Sequence, residues 1–199
     1  MLHRLQSKSW FPLLLISGLC VLAFGLLVPT LGFYWDDWPV VYLAESGELS
    51  AFWDFYQFDR PFSAWTYVLL VPILGTKPLA WHLLVLMLRI LVSTAFYFVL
   101  LGLWPRRSRE ALWAALLFAV YPSFWSQPIA VAYSQHFLTY TFFVLSFAAM
   151  VWAQRRSKQF RGLTIVALTL QLLHLLTMEY FVGLELLRPL AIGLVIARE

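Results

Sequence analysis

The sequence predicts an all-α fold, a polytopic bundle of transmembrane helices, and three observations predict it. Hydrophobic residues make up 62% of the 199 and charged residues only 12%, where soluble domains carry about twice that charge. Mean hydropathy is +0.77. Apolar runs long enough to cross a hydrocarbon core of roughly 30 Å recur along the chain. In lipid the backbone must satisfy its own hydrogen bonds, which leaves helices as the spanning element for such runs. The chain reads as one transmembrane domain over 1–199, without a soluble domain or an internal repeat. By length and hydropathy it holds about five firm membrane segments and two short or broken ones.

The first segment, 10–33, follows Met1 to Ser9 with its basic His3, Arg4 and Lys8. Its apolar run is about twice the length of a secretory signal core, so it reads as an uncleaved anchor with a cytoplasmic N-terminus. The only cysteine, Cys20, lies in this run; an intrachain disulfide is excluded, and the thiol reads as lipid-facing or packed. A polar loop, 34–60, then faces outward. Within it Pro39 to Ala44 and Ser50 to Tyr56 read as two short amphipathic helices broken by Gly47, with Ser50 as N-cap. Trp35, Trp38, Trp53, Phe55, Tyr56 and Phe58 hold this loop at the headgroup level.

The stretch 61–104 holds two apolar pieces, 61–75 and 79–104, around Thr76-Lys77-Pro78. It starts outside and ends at Pro105-Arg106-Arg107-Ser108-Arg109, an inside signal. It must therefore cross an odd number of times: either 61–75 is re-entrant, or the positive-inside rule fails at one cluster. A helical hairpin over 111–153 follows, its spans at 111–126 and 137–153, and leads to a second basic cluster, Arg155, Arg156, Lys158 and Arg161. The final membrane segments occupy 163–197, the second of them interrupted by Glu185, Arg188 and Pro189. Net charge is +4, but the basic residues sit at the ends of apolar segments, so they set topology and nucleic acid is not an expected partner.

Chemistry is expected where the acids are. Of ten acidic residues, Asp36, Asp37, Glu45, Glu48, Asp54 and Asp59 all fall in the first loop. Asp36 and Asp37, set in Phe33-Tyr34-Trp35-Asp36-Asp37-Trp38-Pro39, are candidate catalytic carboxylates. Neighbouring carboxylates raise one another's pKa, which suits a general base or a divalent cation such as magnesium or manganese. The same acids would also serve simply as solvated markers of an external loop. Arg60, which closes the loop, is placed to bind a phosphate at headgroup level, to pair with Asp59 or Asp54, or to anchor the interface. His82 and Arg89 lie seven residues apart on one helical face within an apolar span; intramembrane charge marks either a site or a buried ion pair. Tyr133 and His136, with Gln135, face the same compartment as the Asp pair. Gln171, His174 and Met178 lie on one helical face with Glu179 and Tyr180 just beyond, and Glu185 and Arg188, three residues apart, suit mutual pairing.

Taken together, these motifs resemble the GT-C integral-membrane glycosyltransferases, in particular the protein O-mannosyltransferase and aminoarabinose-transferase-like group. The resemblance rests on a first transmembrane helix followed by aromatic-Asp-Asp, an amphipathic loop and Arg60-Pro61. It continues in Leu74-Gly75-Thr76-Lys77-Pro78-Leu79-Ala80-Trp81-His82-Leu83, in Tyr121-Pro122, and in Tyr133-Ser134-Gln135. It implies transfer of a sugar from a polyprenyl-phosphate donor to an acceptor on the extracytoplasmic face of the cell's inner (plasma) membrane. Asp36 or Asp37 would be the base or a metal ligand beside it, and Arg60 would sit near the lipid phosphate. Where relatives often carry Asn and His after His82, this chain has Val85 and Arg89. The family has more spans and a second external loop, so the chain is expected to be the N-terminal portion of such a protein, one half of a split system with a second membrane subunit as partner, or a degenerate relative. The competing class is a non-enzymatic membrane protein, a transporter or an assembly subunit; a transporter would gather its polar residues at the bilayer midplane.

Overall fold

The computed structural model describes residues 10–121 and 126–197. All regular structure among them is helical. Helix α1, Phe11–Cys20, continues through a π turn at Val21–Gly25 and a 3₁₀ turn at Val28–Thr30. Then come α2 (Asp37–Ser46), α3 (Ala51–Tyr56), α4 (Ala64–Leu74) and α5 (Pro78–Leu103). After these lie α6 (Ser108–Ala119), α7 (Ala130–Arg155), α8 (Phe160–Thr177), a 3₁₀ segment over Glu179–Leu186, and α9 (Leu187–Ile196). Among the described residues, four stretches are long and apolar enough to cross a membrane: Phe11–Thr30, Pro78–Leu103, Ala130–Arg155 and Ser157–Thr177.

α5 and α7 form the axis of the bundle. Each has 26 residues, about 39 Å at 1.5 Å per residue, and α8 packs along the other side of α7. Their close approach depends on Gly102: a β-carbon there would collide with the Val151 side chain. Beside it Arg155 donates from Nε to the Gly102 carbonyl at 3.0 Å, and Trp152 from Nε1 to the Phe98 carbonyl at 3.0 Å. α9 fills the groove beside them with Ala191 and Val195, against Val92, Val99, Phe143 and Val151. α1 covers the other flank, where Ile16 and Cys20 meet Leu86, Tyr97 and Ala115. Cys20 is buried rather than lipid-facing.

Two short helices, α2 and α3, lie between the first segment and α4, and Gly47 ends α2 with φ 76°, the left-handed geometry glycine adopts without strain. Ser50 stands at the N-cap position of α3, but its side chain makes no capping bond. The Met1 to Ser9 head lies outside the described residues. The segment over 61–75 holds one continuous helix, α4, which runs through Pro72. Gln135, near the start of α7, donates to the Ser63 carbonyl before α4 at 2.8 Å, and Trp81, near the start of α5, donates to the Gly75 carbonyl after it at 2.8 Å. Both ends of α4 therefore lie at the same end of the bundle.

The span expected over 111–126 is α6, which stops at Ala119 after 12 residues, about 18 Å. Pro122 disfavours a helical conformation in the residue before it. The open Ala119 carbonyl is met by Arg89, which donates to it from Nη1 at 2.9 Å and from Nε to Gln127 Oε1. Its guanidinium also lies 3.8 Å from the Phe24 ring centroid. A cation within an apolar span thus holds the end of a short helix, because irregular backbone at such depth persists only where protein satisfies it.

Candidate functional site

The aromatic-Asp-Asp motif folds as a tight turn. Trp35 takes φ 44°, a left-handed conformation that costs a bulky residue about 1–3 kcal/mol and needs outside support. The support is on either side: the Asp37 N–H donates to the Tyr34 carbonyl at 2.9 Å, and the Tyr34 N–H donates to Asp37 Oδ2 at 3.1 Å. The turn sends the two carboxylates into different surroundings. Asp37 is 0% exposed, while Asp36 is exposed.

Asp37 caps α7 from a distance of more than ninety residues in sequence. Its Oδ1 accepts the Val131 and Ala132 N–H groups at 2.8 and 2.9 Å, two of the donors that the first turn of a helix leaves open. The positive end of the helix dipole adds to the attraction. Burial nevertheless outweighs these bonds and raises the Asp37 pKa above its ordinary value. His82 stands nearby with Nε2 at 2.9 Å from the Gly32 carbonyl; a carbonyl only accepts, so that nitrogen carries the proton. His82 thereby fastens the segment that leads into the Asp turn. Both Asp37 oxygens are committed to N–H donors, and among the described residues no three His, Cys, Asp or Glu side chains gather as a metal-holding group. The adjacent carboxylates thus meet different neighbours.

Asp36 instead opens onto a cleft of about 580 Å³ whose wall includes Asp59, Arg60, Tyr133, His136 and Tyr180. Arg60 pairs with Asp59 (Nη2–Oδ2 2.6 Å) and lies 5.2 Å from the Tyr180 ring centroid. Partial burial works to lower its pKa, and the Asp59 carboxylate overrides that, so the pKa is raised and the group stays cationic. His136 stacks on Tyr133 with centroids 4.7 Å apart and meets Tyr180 at 6.1 Å. Its Nδ1 is buried without a hydrogen-bond partner among the described residues, a state that costs about 1–3 kcal/mol. Tyr133, His136 and Tyr180 also wall a second cavity, about 760 Å³, which is lined by aromatic and aliphatic groups including Phe118, Tyr121, Tyr140 and Phe181. A charged cleft and an apolar cavity therefore share one aromatic partition.

Of the residues singled out in sequence, Asp36, Arg60, Tyr133 and His136 come together. Asp37 and His82 lie beside them in structural contacts, and Arg89 lies deeper, at the end of α6. Glu179 is exposed and precedes Tyr180, outside the lining of either cavity. Tyr180 stands out in the sequence only as a neighbour of Glu179, and its place in a cavity wall with Phe181 and Tyr140 does not; the signal is Tyr180-Phe181, an aromatic pair directly after a polar residue. Gln171, His174 and Arg188 gather on Glu185: Gln171 Nε2 donates at 2.6 Å, His174 Nε2 lies at 2.8 Å, and Arg188 donates from Nη2 at 3.0 Å.

Fold and site define a class, an all-helical protein whose four long apolar helices fit it to a membrane, with a polar cleft where loop and helix ends meet. No protein-family model, no curated protein and no solved structure matches the chain.

Proposed function

We propose that the chain is a membrane glycosyltransferase, or the N-terminal module of one, that moves a sugar from a polyprenyl-phosphate donor to an acceptor hydroxyl on the extracytoplasmic face. The observation that carries this reading is the shared partition: an exposed carboxylate and a cation on one side, an apolar aromatic cavity on the other. A lipid-linked sugar has the same two-part chemistry. Its prenyl chain suits the cavity of Phe118, Tyr140 and Phe181, its phosphate suits Arg60, and its sugar suits the tyrosine faces.

In the reaction, the acceptor oxygen attacks the anomeric carbon and gives its proton to Asp36. The bond from that carbon to the phosphate oxygen breaks, and polyprenyl phosphate leaves with the electron pair, its charge met by Arg60. His136, stacked on Tyr133 and lining both cavities, supports the partition against which the sugar would lie. Asp37 positions the site through the start of α7. The polar group around Glu185 is what a transporter reading would point to, but its members bond one another and line neither cavity.

The test follows a panel of polyprenyl-phosphate hexoses and pentoses, labelled in the sugar, as label leaves the polyprenyl fraction in membranes that carry the protein. Arg60→Gln is expected to slow release at least tenfold, mainly through weaker donor binding. Release by Arg60→Gln at the wild-type rate would remove the phosphate role assigned to it.

A further inference from the structure

At the opposite end of α5 and α7 from the Asp36 cleft lies a cavity of about 930 Å³. Its wall includes Leu100, Trp104 and Ala111, and its rim carries Arg106, Arg107 and Arg155, against one carboxylate, Glu110. Arg155 is fixed by donating from Nε to the Gly102 carbonyl at 3.0 Å. Arg107 makes only a long, exposed contact to Glu110, Nη1–Oε1 3.4 Å, which is worth little in water. Arg106 is exposed. The cavity sits where two 26-residue apolar helices end, the depth at which headgroups meet hydrocarbon.

We infer that this cavity binds the phosphate headgroup of an anionic glycerophospholipid, with an acyl chain against Leu100 and Ala111. The charge balance of three arginines to one glutamate selects an anion, and guanidinium forks match phosphate oxygens in pairs. The apolar lining selects an amphiphile over free phosphate, which would leave that surface without contacts. Basic pockets between membrane helices take anionic headgroups on these grounds. The site is separate from the donor cleft and does not depend on the proposed sugar transfer.

Native mass spectrometry of the full chain in neutral detergent tests this, with titration of phosphatidylglycerol and phosphatidylcholine of identical acyl chains. The wild type is expected to hold phosphatidylglycerol about tenfold more tightly. The double variant Arg106→Gln/Arg107→Gln is expected to fall to within about twofold, while Arg109→Gln/Arg161→Gln, which carries the same charge loss outside the cavity, keeps the preference. If the first variant unfolds, Leu100→Trp fills the cavity from its apolar side and is expected to lower phosphatidylglycerol binding alike. Equal loss in both double variants would reduce the effect to diffuse surface charge and overturn the site. So would a wild type without preference, or displacement of the lipid by inorganic phosphate at equal concentration.

Discussion

Asp36 and Asp37 are chemically identical neighbours with opposite surroundings. A one-residue offset across the Trp35 turn puts one carboxylate in the cleft and the other under the first turn of α7. Asp37→Ala removes an acceptor shared by two helix N–H groups and is expected to cost about 1–2 kcal/mol of stability, the usual loss for a helix cap. Unfolding of the purified protein in detergent measures it. The pH dependence has a definite sign. Burial raises the Asp37 pKa above its ordinary 3.8, so the folded state holds this proton more tightly than the unfolded chain. The Asp37 contribution is greatest below that ordinary value and declines as pH rises from there through the raised folded value. Asp37→Asn is expected to flatten that decline in thermal midpoints taken from about pH 3 to 7; an unchanged slope would mean the buried carboxyl does not titrate there. The acidic loop was legible as a candidate site because six acids stand out in a chain with ten. The division of labour within the pair was not, because it depends on a partner helix more than ninety residues away.

At the scale of elements, two side-chain choices shape the helices around the site. Gly102 lets α5 approach α7 at Val151, and overpacking a tight contact costs about 1–3 kcal/mol. Gly102→Ala should lose that much, and Val151→Ala in the same chain should restore most of it, a coupling that a double-mutant cycle reads directly. Additive losses would mean the helices separate elsewhere. Arg89 holds the end of α6, and Arg89→Met, of similar length, leaves the Ala119 carbonyl and Gln127 without their donor. The expected loss is about 1–3 kcal/mol for each group, seen as a lower thermal midpoint with α-helical content kept. The loop helices and the Gly47 break were readable, since each signal is local. The Glu185–Arg188 pair was readable for the same reason, being three residues apart. The stop at Ala119 was not, although Pro122 marks it, because the apolar run continues past the point where the helix ends.

For the molecule as a whole, the arrangement gathers the acidic loop, both ends of α4 and the starts of α5 and α7 at one end. The basic clusters lie at the other. If the two ends face opposite sides of a membrane, α4 is a re-entrant piece and α5 is the one crossing in 61–104. With the buried Cys20 replaced by Ser, single cysteines at Glu48 and Lys77 are expected to react with an impermeant maleimide from one side of the membrane. Cysteines at Arg109 and Lys158 are expected to react only from the other, and labelling of Lys77 and Lys158 from the same face would refute this layout. Composition made the membrane class legible; the joining of a charged cleft to an apolar cavity arises only when α7 and the segment after α8 meet. The central claim is that Asp36 does the chemistry while Asp37 holds the scaffold. Sugar release from labelled polyprenyl-phosphate donors by Asp36→Asn membranes, at matched levels of folded protein, tests it most directly. The account predicts a fall of at least about a hundredfold, the lower range for loss of a general base, with thermal stability kept; release at the wild-type rate would contradict it.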